Sequence, residues 1–242
     1  MPWAQKPLYA NTGAFCILEG MLLQKMKTIV YVDGFNLYYR ALKGTNHKWL
    51  DLLALCKAVL PAHCDIVGIN FYTARISGRI DPTSPKDQHV YLKALSTLPG
   101  MQLHFGNFQV KNKDMFLAQP LVFKPPFVTP PVPLPQFARV VKSEEKGSDV
   151  NLGVHLVRDA LMGRFEHAAV ITNDTDLCEP LQIVVADGKL PVTLLTSVAK
   201  PAESLKKLAT HVRHIVGHLG GAQFPDPVTG ADGKPIAKPA GW

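Results

Sequence analysis

The sequence predicts an α/β protein with a mainly parallel central sheet, on three observations. Residues 28–32 are a continuous apolar run rich in β-branched side chains, as expected of a strand buried on both faces, and 66–72 and 168–172 read as further buried strands. Helical patterns separate these runs, and strand-helix alternation favours parallel pairing through right-handed crossovers. Two of the runs also leave through acids, at Asp33 and at Asp174 and Asp176. Ligands of open α/β sheets gather outside the carboxyl ends of the strands.

The elements follow in order. Residues 1–25 show no clear period and read as an N-terminal extension without chemistry, with Met26 a natural beginning for the domain. After the first strand, Gly34 permits a sharp turn, and a short helix follows from Asn36. Leu52, Leu53, Leu55, Cys56, Val59 and Leu60 give residues 48–60 a helical face, stopped by Pro61. A second strand spans the 65–76 region. A helix over 84–98 follows, with Pro85 in its first turn and Pro99-Gly100 at its end. The next strand runs from 101 to 110. Residues 119–135 hold seven prolines, which excludes a helix or central strand and predicts a surface insertion serving as a spacer. The second half alternates helix 148–161, strand 168–172, helix 177–186, strand 192–195, helix 202–208 and a short strand at 212–216. The domain therefore covers 26–219. A Gly/Pro-rich tail, 220–242, is loosely ordered or wrapped over the surface.

Composition bounds the function. Hydrophobic residues make up 47% and charged residues 19% of 242, which excludes wholesale disorder. The excess of 26 Lys+Arg over 19 Asp+Glu, a net charge of +7, favours a polyanionic partner. Cys16, Cys56, Cys64 and Cys178 form no C-x-x-C, and no histidine pair has zinc-finger spacing, which argues against a structural zinc or thiol-redox site. His211 and His214 read as strand or surface residues with diverging side chains. No run is long enough to span a membrane, and no secretory signal precedes the domain, so a cytoplasmic protein is expected. A homo-oligomer is compatible with all of this.

The chemistry rests on acids. Asp149 lies at the predicted start of a helix, within Glu145-Lys146-Gly147-Ser148-Asp149-Val150-Asn151. Each acid alone reads as a helix cap or first-turn residue. Taken together, Asp33, Asp149, Asp174 and Asp176 would meet at one sheet edge if their strands are neighbours. Such carboxylates raise one another's pKa unless a cation lies between them. Oxygen-only ligands suit Mg²⁺ or Mn²⁺, which bind a scissile phosphate, activate water and stabilise the leaving oxygen. Arg75, at the exit of the second strand, is a candidate phosphate contact, with Lys93, Lys86 and Lys146 extending it; Arg79 reads as solvated.

Three stretches resemble the successive motifs of NYN-domain proteins, a family of the PIN-like nuclease superfamily: Val32-Asp33-Gly34-Phe35-Asn36-Leu37-Tyr38, Glu145 to Leu152, and Ile171-Thr172-Asn173-Asp174-Thr175-Asp176-Leu177. The resemblance covers Met26 to the C-terminus. It implies a PIN-like three-layer α/β/α sandwich and a metal-dependent ribonuclease acting on RNA. Asp33, Asp149, Asp174 and Asp176 are then the Mg²⁺- or Mn²⁺-binding acids, Asn36 orients substrate or a water, and Asn173 supports. Two rivals stand beside this expectation. One is a non-catalytic RNA-binding or adaptor module of the same fold. The other is a phosphatase with Asp33 as nucleophile, disfavoured because Phe35 occupies the place of a second acid.

Overall fold

The apolar run after Lys25 forms β1 (Met26–Asp33), the middle strand of the molecule. The computed structural model describes residues 25–76, 78, 83–118, 122, 132, 133 and 135–242. Arg79, most of the proline-rich insertion and, apart from Lys25, the expected N-terminal extension lie outside the described residues.

After β1 come α1 (Gly34–Leu37), a wider helical turn over Tyr38–Leu42, and α2 (Leu52–Val59). The helix expected from residue 48 starts later because Asp51 caps it, accepting a hydrogen bond from the Ala54 N–H at 2.9 Å. Then follow β2 (Cys64–Ala74), α3 (Ser84–Leu95), β3 (Met101–Phe116), β4 (Phe137–Lys146) and α4 (Ser148–Leu161). The chain continues through β5 (His167–Ile171), α5 (Cys178–Gln182), β6 (Val192–Thr196), α6 (Glu203–Leu208) and β7 (His211–His214). A small hairpin, β8 (Val228–Thr229) with β9 (Pro235–Ile236), lies in the C-terminal region.

Among the described residues seven strands form one sheet in the order β4-β3-β2-β1-β5-β6-β7. Every neighbouring pair is parallel except β3 with β4. Chain order runs outward from β1 to β3 on one side, then returns to place β5 on the other side of β1. The topological switch point therefore falls between β1 and β5, where α/β sheets open a crevice.

Helices cover both faces, which makes the three-layer α/β/α sandwich. On one face α2 and α3 bury Leu52, Leu55, Leu92 and Leu95 against Val30, Val32, Ile69 and Phe71. On the other, α4 to α6 bury Leu152, Leu156, Leu181 and Leu205 against Tyr31, Tyr72, Val170 and Leu194. Successive β1 side chains feed opposite layers, so Tyr31 faces α4. Its hydroxyl donates to Asp159 Oδ2 at 2.9 Å, while Arg158 and Arg164 hold Asp159 Oδ1.

Three departures from the sequence expectation have physical causes. The third strand runs six residues past 110, to Phe116, because its second half pairs with β4, which was not anticipated. This antiparallel ribbon leaves the core: Asn107–Phe116 pair with β4 and not with β2, so alternation there reports ribbon pairing rather than burial. The single helix expected over 177–186 is a tight turn (Thr175–Leu177), α5 and a wider turn (Ile183–Asp187), with Pro180 removing one backbone donor. The tail is packed: Phe224 and Val228 belong to the core, and Trp242 meets Trp49 and Tyr91.

Candidate metal centre

Three elements bring acids to the switch point. β1 ends in Asp33, which caps α1 by accepting the Asn36 N–H on Oδ1 at 2.9 Å. That turn needs Gly34, because a Cβ there would lie 2.6 Å from the Phe71 ring and 2.7 Å from the Tyr72 carbonyl oxygen. β5 leads through Thr172 and Asn173 to Asp174, whose Oδ1 accepts the Asp176 N–H at 3.1 Å and caps the following turn. α4 opens with Asp149 in its first turn. The turn into α4 passes close over Gly106, where a Cβ would strike Glu145 Oε1 and the Lys146 carbonyl oxygen.

One carboxylate oxygen from each of Asp149, Asp174 and Asp176 lies within 4.8 Å of the others. Asp33 stands beside them, 8% exposed. Its carboxyl is raised to about 6, chiefly by burial; hydrogen bonds from Asn36 and Thr172 oppose this, and the charges of Asp174 and Asp149 add to it. Among the described residues no Lys or Arg forms an ion pair with any of these acids.

Thr172, which sequence reasoning gave no role at the site, ties the two strand exits together. Its hydroxyl donates to Asp33 Oδ2 at 3.1 Å and accepts the Asp174 N–H at 3.1 Å. The signal for it was present, since a buried hydroxyl between two acids in chain and space needs a partner. Glu145 is a second omission: its Oε1 accepts the Ser148 N–H at 2.8 Å, supporting the helix that carries Asp149.

The remaining predicted residues scatter. Asn36 Oδ1 is buried with no hydrogen-bond partner among the described residues. Asn173 Oδ1 accepts the Ala202 N–H at 2.9 Å at the start of α6, a structural duty. Arg75 follows β2, exposed, with its guanidinium 4.9 Å from the centre of the Phe105 ring. Lys146 reaches Glu144 at 3.7 Å, three residues before Asp149. Lys86, in the first turns of α3, is exposed. Lys93 is exposed in the last turn of that helix, which has run away from the acids toward the start of β3.

The donor set is oxygen-only and negatively charged, and one further buried oxygen, on Asn36, lacks a donor. These residues fit a hard divalent ion such as Mg²⁺ or Mn²⁺ and not a thiophilic metal.

The fold and site define a doubly wound α/β protein with an acidic centre at its switch point. No family model matches the chain. It is 32% identical over 247 residues, 90% of this chain and 76% of the other, to 6-hydroxy-3-succinoylpyridine 3-monooxygenase HspA of Pseudomonas putida (strain DSM 28022 / S16). The chain belongs to the family of that enzyme. It also resembles the crystal structure of a protein of unknown function from Vibrio parahaemolyticus RIMD 2210633, with a TM-score of 0.50, 14% identity and coverage of 79% of this chain and 94% of that one. That likeness concerns the fold. Among the described residues no helix is long and apolar enough to cross a membrane.

Proposed function

We propose that this protein is a divalent-metal-dependent ribonuclease that hydrolyses RNA phosphodiester bonds at Asp33, Asp149, Asp174 and Asp176. The observation that carries the reading is the meeting of Asp149, Asp174 and Asp176 within 4.8 Å, with no basic partner among the described residues. Like charges so placed favour a cation between them. A bound Mg²⁺ or Mn²⁺ would neutralise the scissile phosphate and acidify an attacking water. The protein's share is positional. Thr172 holds Asp33 and the Asp174 backbone in fixed relation, Asn36 offers an amide oxygen, and Arg75 offers a cation at the same edge. The net charge of +7 draws in a polyanion while the acids keep their own place. A cytoplasmic setting goes with this proposal, where Cys56, Cys64 and Cys178 persist as free thiols.

The test uses purified protein, several RNA classes, Mn²⁺ or Mg²⁺ against chelator, and Asp149→Asn. Metal-dependent cleavage lost in the variant is the expected outcome. Cleavage that persists in Asp149→Asn overturns the site. RNA binding without cleavage under any divalent ion would make the protein a binding module instead.

A second reading comes from the family. The P. putida relative is named as a monooxygenase of a hydroxypyridine, and oxidation of a small heteroaromatic acid is the corresponding activity here. Oxygen uptake with 6-hydroxy-3-succinoylpyridine and an electron donor, in the absence of RNA cleavage, would select it.

A further inference from the structure

Beside α1, a cavity of about 540 Å³ opens between the β1 exit, α3, the β3–β4 ribbon and Trp242. Its size is that of a small-molecule site. Gly34 and Phe35 line it, so it begins one residue after Asp33.

Its lining has a composition that points to a ligand. Phe35 lies nearly parallel to both Tyr39 and Phe108, with ring centres 6.4 Å apart in each case and interplanar angles of 18° and 27°. Tyr39 is 60% exposed, so this row of rings is open to solvent at one end. Such a row is a platform on which a flat ring stacks. Two ammonium groups are held at the lining by aromatic faces: Lys43 Nζ is 5.0 Å from the Tyr39 ring centre and Lys48 Nζ is 5.5 Å from that of Trp242. Neither lysine forms an ion pair among the described residues; Lys48 Nζ donates to the Gly241 carbonyl oxygen at 3.4 Å, and the charges of both lysines face no carboxylate partner. Ser143 Oγ, also in the lining, is buried without a hydrogen-bond partner among the described residues. Buried hydroxyls are rarely left so, and a polar atom of a ligand would satisfy it. The Asp87 side chain adds one acceptor for a ring N–H or amine.

We infer that this cavity binds a flat heteroaromatic ring carrying an anionic group, the ring against Phe108, the anion at Lys43 and Lys48, and a ring heteroatom at Ser143. The same chemistry is met in a nucleotide and in a free heteroaromatic acid. Binding there does not depend on what the acids catalyse.

Calorimetry on the full chain in chelator tests this with uridine 5′-monophosphate and 6-hydroxynicotinate, beside uridine and ribose 5-phosphate. At least one of the first pair binds saturably, and whichever binds tighter identifies the source. Uridine binds more weakly than its phosphate, and ribose 5-phosphate does not compete. Phe108→Ala weakens binding about tenfold, the loss expected for one stacked ring, and the double change Lys43→Gln, Lys48→Gln removes the advantage of the phosphate over uridine. Absence of saturable binding by either ring probe overturns the inference. So does equal binding of ribose 5-phosphate, or unchanged affinity in both Phe108→Ala and Ser143→Ala variants whose unfolding temperature matches the parent.

Discussion

Asp33→Asn should make the metal-free protein more stable while abolishing its chemistry. The carboxyl of Asp33 is raised from 3.8 to about 6 by burial and by its acidic neighbours. A group raised in this way favours the folded state below its unfolded pKa, and that contribution disappears as pH climbs through about 6. At pH 8 the ionised, buried carboxylate thus costs about 3 kcal/mol relative to acid conditions, at about 1.4 kcal/mol for each pH unit of the shift. Asparagine removes the charge and keeps much of the bonding. Its carbonyl oxygen can accept the Asn36 N–H, and its amide can donate to Thr172 Oγ1, which now serve the two carboxylate oxygens. Weaker neutral hydrogen bonds offset part of the gain, leaving about 2 kcal/mol in favour of the variant at pH 8. For a chain of this length that is a rise of about 4–8 °C in Tm. The assay is urea unfolding in chelator at pH 8 and pH 4.5. The advantage should be present at pH 8 and smaller at pH 4.5. A variant no more stable than the parent at pH 8, or equally advantaged at both values, refutes the reasoning. Added Mn²⁺ should raise the Tm of the parent and not of Asp149→Asn, since ligation stabilises only a folded state that can bind.

Other residues give sharper tests of the frame around the site. His167 is 2% exposed and bonded to Thr28 and Thr193, and burial, then the charges of His211 and His63, lower it to about 4. Its contribution is complete above pH 6.5 and is lost as pH falls to about 4, worth about 3 kcal/mol; Asp33 slopes the other way in that window, so unfolding free energies of Asp33→Asn should fall more steeply with acid than those of the parent. Thr172→Val breaks the link between Asp33 and Asp174 and should cost about 1–3 kcal/mol by urea unfolding, with cleavage reduced more than RNA binding. Asp159→Ala leaves the Tyr31 hydroxyl without its acceptor and Arg158 and Arg164 without their shared oxygen; a loss of about 3 kcal/mol is expected in the same assay. Gly34→Ala forces a Cβ against Phe71 and the Tyr72 carbonyl and should lower stability by about 1–3 kcal/mol, measured by thermal unfolding.

The sequence by itself determined the strand-helix alternation and the parallel core, because strands buried on both faces are largely apolar, as residues 30–32 and 168–171 are; the second strand is the looser case, with Asn70 in its run and Val67 42% exposed. It also placed Asp33 and Asp174 at strand exits, since an acid following such an apolar run marks where the strand ends: Asp33 is the last residue of β1 and Asp174 follows β5. Only the tertiary structure decided that those exits are neighbours. That depends on β5 pairing with β1, a contact separated by more than a hundred residues and invisible to local pattern. The same holds for Thr172, whose two hydrogen bonds exist only once the strands are side by side, and for Lys93, whose helix carries it away from the acids. β4 escaped local reading because a ribbon standing in solvent is stabilised by its partner strand rather than by burial, so its alternation looks like surface. The aromatic cavity lay further out of reach: Phe35, Phe108 and Trp242 come together from distant parts of the chain, and nothing in their own neighbourhoods marks them as a set.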